Sequence, residues 1–142
     1  MIKLSQKQVN EIAQLLDAGM KCYVNKDTGE FADVPDLDDM YGYEEFVQEE
    51  IEKIESTWSN YVIIEKMSSR EGFRVMEDFT HTVTNKRMQD RLFNALNRRK
   101  PFSNFKHEVD HGGDIRQQWF DFKQAAYEAY VREELSGEFL FV

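Results

Sequence analysis

From Ser68 to Leu135 the apolar residues return every three or four positions. That is the spacing of helices with one buried face. Local punctuation cuts the stretch into four. Ser68 and Glu71 form a capping box in front of a helix reaching about Val83, with Val75, Met76, Phe79 and Val83 on one side. A second helix runs from about Asn85 to Asn97, with Met88, Leu92 and Leu96 inward. A third spans about Phe102 to His111, and Gly112-Gly113 stop it. The last starts at Asp114, with Gln117 as its capping partner, and ends at Ser136 before Gly137. It carries two apolar lines, Ile115, Trp119, Phe122, Ala126 and Ala129 on one and Phe120, Tyr127, Val131 and Leu135 on the other. A helix apolar on two sides is expected to sit centrally.

The first half reads differently. Ser5 and Gln8 cap a helix over 5–18 with the stripe Val9, Ile12, Ala13 and Leu16, and Gly19 ends it. Met20, Cys22 and Val24 alternate with polar neighbours, and Asp27-Thr28-Gly29-Glu30 has turn chemistry, so residues 20–34 are predicted to form a β-hairpin. Pro35 opens an acidic loop over 35–41. An exposed acidic helix is predicted over 43–56, with Phe46, Val47, Ile51 and Ile54 as inner contacts. Trp58 and Tyr61-Val62-Ile63-Ile64 are dense in β-formers and predict a buried strand in 58–66. The tail Glu138-Phe139-Leu140-Phe141-Val142 is apolar for a terminus and either adds a strand or meets a partner.

The fold class that follows is α+β. It has an N-terminal helix, a small antiparallel sheet made of the hairpin plus one strand, and a C-terminal group of four helices over one sheet face. The 142 residues contain no repeat or linker, so one domain, 1–142, is expected, long enough to enclose a core. No apolar run approaches the roughly 20 residues that span a bilayer. Residues 1–16 lack a basic start followed by an apolar block. A soluble cytoplasmic protein with no membrane contact is the expectation. The single cysteine, Cys22, excludes an intrachain disulfide and a zinc ribbon.

Charge is segregated along the chain. The net charge is −9, yet residues 30–55 hold eleven acids, Asp36, Asp38 and Asp39 among them, against Lys53 alone. Residues 86–106 hold seven bases (Lys86, Arg87, Arg91, Arg98, Arg99, Lys100 and Lys106) against Asp90 alone. Such a chain is a charge dipole rather than a uniformly acidic body.

Several of the helical residues form short groups: Met76-Glu77-Asp78-Phe79, Leu92 with Ala95-Leu96, Phe102 with Phe105-Lys106, and Trp119-Phe120 with Phe122. These resemble an uncharacterised family of small bacterial proteins without an assigned function. The Thr28-Gly29 hairpin is similar to that family's N-terminal portion. The likeness covers most of the chain and is strongest over 73–122. It implies a small soluble bacterial protein and carries over no catalytic residue, cofactor or substrate.

Among chemistry-bearing motifs, His107-Glu108-Val109-Asp110-His111 fits H-E-x-x-H. Imidazoles four apart on a helix share a face and can grip zinc, and the intervening Glu can take a proton from bound water. Against catalysis, Asp110 charges the motif, Gly112-Gly113 end the helix at the second His, and the sequence signals no third ligand. Phe102, Phe105 and Val109 define the core side, so both His residues point nearly opposite. Asp36, Asp38 and Gly42 miss the spacing of a calcium loop. Glu77 and Asp78, about 100° apart on a helix, are not a close acid/base pair. One of them is expected to pair with a base such as Arg74 or Arg91. His81, one turn beyond Glu77, is expected to bond to it. Cys22 reads as a buried inert thiol. Neither G-x-G-x-x-G nor a P-loop is present.

The reading that ranks first is a non-enzymatic protein-interaction or regulatory module, binding a protein partner or itself and needing no cofactor. Its candidate surfaces are the basic residues Lys86, Arg87, Arg91, Arg98, Arg99 and Lys100 and the acidic residues Asp36, Asp38 and Asp39. One alternative is a zinc-dependent hydrolase using His107, His111 and Glu108. The other is nucleic-acid binding through the basic stretch, where Phe93, Phe102 and Phe105 interleave the cations and could stack on bases.

Overall fold

A computed structural model describes residues 1–35 and 60–142. In chain order the described elements are β1 (Lys3–Leu4), α1 (Gln6–Asp17), β2 (Met20–Asn25), β3 (Phe31–Pro35), β4 (Tyr61–Ile64), α2 (Ser69–Thr82), α3 (Lys86–Leu96), α4 (Pro101–Asp110), α5 (Ile115–Glu134) and β5 (Leu140–Phe141). The fold is α+β and mostly helical, with the helices concentrated toward the C-terminus. The chain gathers into two compact units, Met1–Lys66 with Tyr127–Val142, and Met67–Ala126. The expected acidic loop beyond Pro35, the acidic helix over 43–56 and Trp58 lie outside the described residues. No described helix is long and apolar enough to cross a membrane.

The first unit starts from the Ser5 capping box. The Ser5 hydroxyl accepts the Gln8 amide at 3.1 Å, and Gln8 Oε1 accepts the Ser5 amide at 2.8 Å. Two otherwise orphaned amides are thereby satisfied. The stripe Val9, Ile12, Ala13 and Leu16 is buried. It joins Cys22 and Val24 of β2 and Ile64 of β4 in one core. The hairpin forms with Cys22 opposite Asp33 and Val24 opposite Phe31. Asn25 organises its turn, Oδ1 accepting the amides of Asp27 at 2.8 Å and Thr28 at 3.1 Å. Gly29 closes that turn at φ 74°, and a Cβ there would lie 3.1 Å from Ile2 Cδ1 and 3.2 Å from Leu4 Cδ2.

Strand β4 pairs antiparallel with the other side of β2, placing Ile64 opposite Cys22 in the order β3-β2-β4. Here the expectation of a buried strand needs correcting. Ile64 is buried, but Ile63 is 41% exposed. The β-branched run signals pleated geometry, not double-sided burial. For the apolar tail, the structure selects the first of the two expected outcomes. It adds a strand, and the strand pairs with a partner that local sequence does not announce. β5 lies parallel to β1, with Leu140 N–H donating to the Ile2 carbonyl at 2.9 Å, and Phe139 is buried.

The second unit holds α2, α3, α4 and the front of α5. Ser68 and Glu71 make the expected capping box. Phe79 is the hub of the core, its ring 6.4 Å from Phe105, 5.3 Å from Trp119 and 5.4 Å from Phe122. Edge-on and tilted contacts of this kind add to area burial. α2 ends without glycine because side chains take its last carbonyls. Thr82 Oγ1 donates to Phe79 O at 2.6 Å, and Gln89 Nε2 donates to Thr80 O at 3.1 Å. Gly112 sits where a Cβ would lie 3.1 Å from both Glu108 O and Met88 Cε. A side chain there would press on the α4 backbone and on the end of Met88.

Helix α5 departs from expectation. Its two apolar lines do not make it central. Ile115 and Trp119 belong to the core with Phe79, while Val131 and Leu135 just past its end belong to the core with Ile12 and Val24. Ala129 is exposed. Phe120 of the second line packs on the Phe79 core together with the first line, while Tyr127, Val131 and Leu135 go to the other core. Near the start of α5, Gln117 Nε2 donates forward to Asp121 at 2.9 Å. Toward its C-terminal end, Glu128 accepts from Asn10 Nδ2 at 2.9 Å and Gln6 Nε2 at 3.2 Å, and Arg132 donates to Gln6.

Two substitutions test these assignments by chemical denaturation of the full chain. Phe79→Ala is expected to cost about 3–5 kcal/mol through lost burial and a residual cavity. Gly29→Ala is expected to cost about 1–2 kcal/mol from its left-handed backbone alone, and more from its contact with Ile2 and Leu4.

Candidate functional site

The cations of the basic stretch are placed by α3 and by the corner leading into α4. Asn85 starts α3, its Oδ1 accepting the Met88 amide at 2.9 Å. Leu92, Ala95 and Leu96 face the core. Arg87 and Arg91, one turn apart, consequently lie together on the outer side, and both are exposed. Lys86 stands apart from them, held at 3.2 Å by Asp90 one turn on. Asn97 caps the helix, and Arg98, Arg99 and Lys100 form the corner, all exposed. Asn104 Nδ2 fixes that corner by donating to Arg99 O at 2.7 Å. Lys100 adopts φ 56° and ψ 56°, and Pro101 then begins α4. It is the non-glycine residue with positive φ among the described residues.

Arg87, Arg91, Arg98, Arg99 and Lys100 make no ion pair with another described residue. The structure thus separates the six basic candidates into five unpaired cations and one paired lysine. Charge also follows the division into units. Residues 67–126 carry eleven Lys and Arg against eight Asp and Glu, a net +3 within a chain of −9, which leaves −12 on the other residues.

The three phenylalanines that interleave the cations in sequence separate in space. Phe105 is core, and Phe93 packs edge-on against His81 at 5.0 Å. Only Phe102 stands out at the corner, 45% exposed. His81 therefore meets an aromatic ring rather than bonding to Glu77. Glu77 and Asp78 are both exposed, and neither is ion-paired with a described residue, so the pairing expected with Arg74 or Arg91 does not form. Two cations that sequence reasoning overlooked lie on α5. The Arg116 guanidinium sits 4.7 Å from the Phe120 ring centre, and Lys123 Nζ sits 5.4 Å from it. Their four- and three-residue spacing from Phe120 was the available signal.

His107 and His111 lie on the last turn of α4, exposed and pointing away from Phe105 and Val109 as expected. Their ring centres are 4.4 Å apart, and His111 Nδ1 is 2.8 Å from His107 O. Glu108 is half-buried, and Asp110 is 3.5 Å from Arg116 Nε. Among the described residues, no three His, Cys, Asp or Glu side chains converge to hold a metal. Among those residues, no third protein ligand of the kind a catalytic zinc requires is brought to the pair. Asp36, Asp38 and Asp39 lie outside the described residues. Cys22 is buried in the first unit's core.

A family description matches residues 1–140, spanning both compact units. The chain belongs to the uncharacterised protein family UPF0158. No curated protein and no solved structure matches it. The family carries no assigned function, so the surface of this chain supplies the argument from here.

The backbone of Lys100 offers a direct test of how the corner is built. Lys100→Gly removes a left-handed penalty of about 1–2 kcal/mol and introduces an unfolded-state entropy cost of about 0.4–1 kcal/mol. Thermal unfolding is expected to show a small stabilisation, and Lys100→Val a clear loss.

Proposed function

We propose that this chain is a non-enzymatic interaction module whose working surface is the cationic corner of Arg87, Arg91, Arg98, Arg99 and Lys100. Its partner is an acidic protein surface, in the first instance that of a second copy. The observation that carries this reading is the set of five exposed cations without an ion pair among the described residues, on a unit opposite in sign to the rest of the chain. The net charge of −9 does not forbid it. At physiological ionic strength the Debye length is about 8 Å, so distant acids are screened while close contacts are not. Each exposed pair contributes little, and a set of them governs orientation and association rate. Contact between unlike surfaces of two copies closes a two-fold dimer when each copy returns it and builds rings or chains when it does not. The proposal also places the protein in a bacterial cytoplasm, on its lone buried cysteine and its family resemblance.

Light scattering of the full chain at low and high salt tests the reading. A mass above 16.9 kDa at low salt that falls to it at high salt is expected. Arg98→Glu with Arg99→Glu is expected to leave a monomer in both. A monomer throughout, with wild type and variant alike, contradicts it. The exposed ring of Phe102 favours a second reading, single-stranded nucleic acid stacked at the corner. Oligonucleotide binding with a steep salt slope, lost in Phe102→Ala, would favour that reading instead.

A further inference from the structure

We propose that His107 and His111 form a two-imidazole chelate for a borderline divalent transition cation, with water completing the coordination. This site is separate from the cationic corner and does not rest on it.

Three observations converge. The first is spacing. Residues four apart on α4 share a face, and the two rings are already neighbours at 4.4 Å between centres. An imidazole nitrogen binds zinc at about 2.0–2.1 Å, which places the ion about 3.2 Å from each ring centre. Two such rings at a right angle about one ion have centres about 4.5 Å apart. The observed separation needs little change to meet that requirement.

The second observation is the tautomer. A carbonyl oxygen only accepts, so His111 Nδ1 must carry the proton it shares with His107 O at 2.8 Å. Its Nε2 then holds the lone pair that a metal needs. A ligating histidine whose other nitrogen donates to a carbonyl is the usual supporting arrangement of metal sites, fixing the ring and raising its basicity. Here the helix supplies that support from its own last turn.

The third is the electrostatic setting. His111 caps the C-terminal end of α4, where unsatisfied carbonyls carry partial negative charge and favour a cation. Both side chains are exposed, so binding displaces only surface water. With two protein ligands the site is a binding site, not a hydrolytic centre. Its preference is expected to follow donor chemistry rather than a shaped cavity, with copper(II) ahead of nickel(II) and zinc(II).

Calorimetric titration of the full chain with copper(II) chloride tests this, with paramagnetic resonance of the complex. One equivalent is expected to bind through two ring nitrogens. His107→Ala and His111→Ala are each expected to weaken binding at least tenfold. His81→Ala, which removes the remaining histidine, is expected to change nothing. Both rings of the pair are exposed, so far-ultraviolet dichroism of the variants is expected to match wild type. Absence of stoichiometric binding, or a copper spectrum and affinity unchanged in His107→Ala, overturns the proposal.

Discussion

Burial of apolar side chains along α5 underlies both compact units. Its first turns deliver Ile115 and Trp119 to an aromatic core built round Phe79. The side chains from Tyr127 onward serve an aliphatic core with α1 and the sheet, where Val131 and Leu135 are fully enclosed. The polar row of Glu128 and Arg132 against Gln6 and Asn10 then sets the register of α5 on α1 through hydrogen bonds that apolar packing alone would not specify.

Where a signal is local, the sequence was readable. Capping boxes at Ser5 and Ser68 and the Asp27–Glu30 turn all depend on residues within a few positions of one another. The helices they delimit follow closely. Signals that depend on distant partners were not readable. Pairing of β5 with β1 joins residues 3–4 to residues 140–141, and nothing within two-residue strands marks it. Exposure of Ile63 follows from alternation, since Ile64 takes the core face and Ile63 the opposite one, and composition does not encode whether that opposite face is covered. The two apolar lines of α5 were seen, but whether such lines are concurrent or consecutive is decided by what packs on them.

The candidate surface was legible as charge and not as geometry. Counting bases located the stretch. It could not separate Lys86, held by Asp90, from Arg87 and Arg91 on the outer side, because that depends on which way α3 faces its core. The three phenylalanines looked equivalent in sequence. Packing assigns Phe105 to the core and Phe93 to His81, and leaves Phe102 at the corner. Membership of UPF0158 covers both units without naming an activity. The charge division between those units is therefore the physical fact from which a role is argued.

One consequence lies in the order of synthesis. The helical unit is a continuous stretch, Met67–Ala126, whereas the sheet-bearing unit is assembled from both ends of the chain. During translation the helical unit is complete while the other still lacks Val131, Leu135 and Phe139. Until those residues emerge from the ribosome, α1 and the hairpin present an apolar surface with no cover from the chain's own end. Closure of the sheet-bearing core thus waits on residues made after the helical unit is already complete.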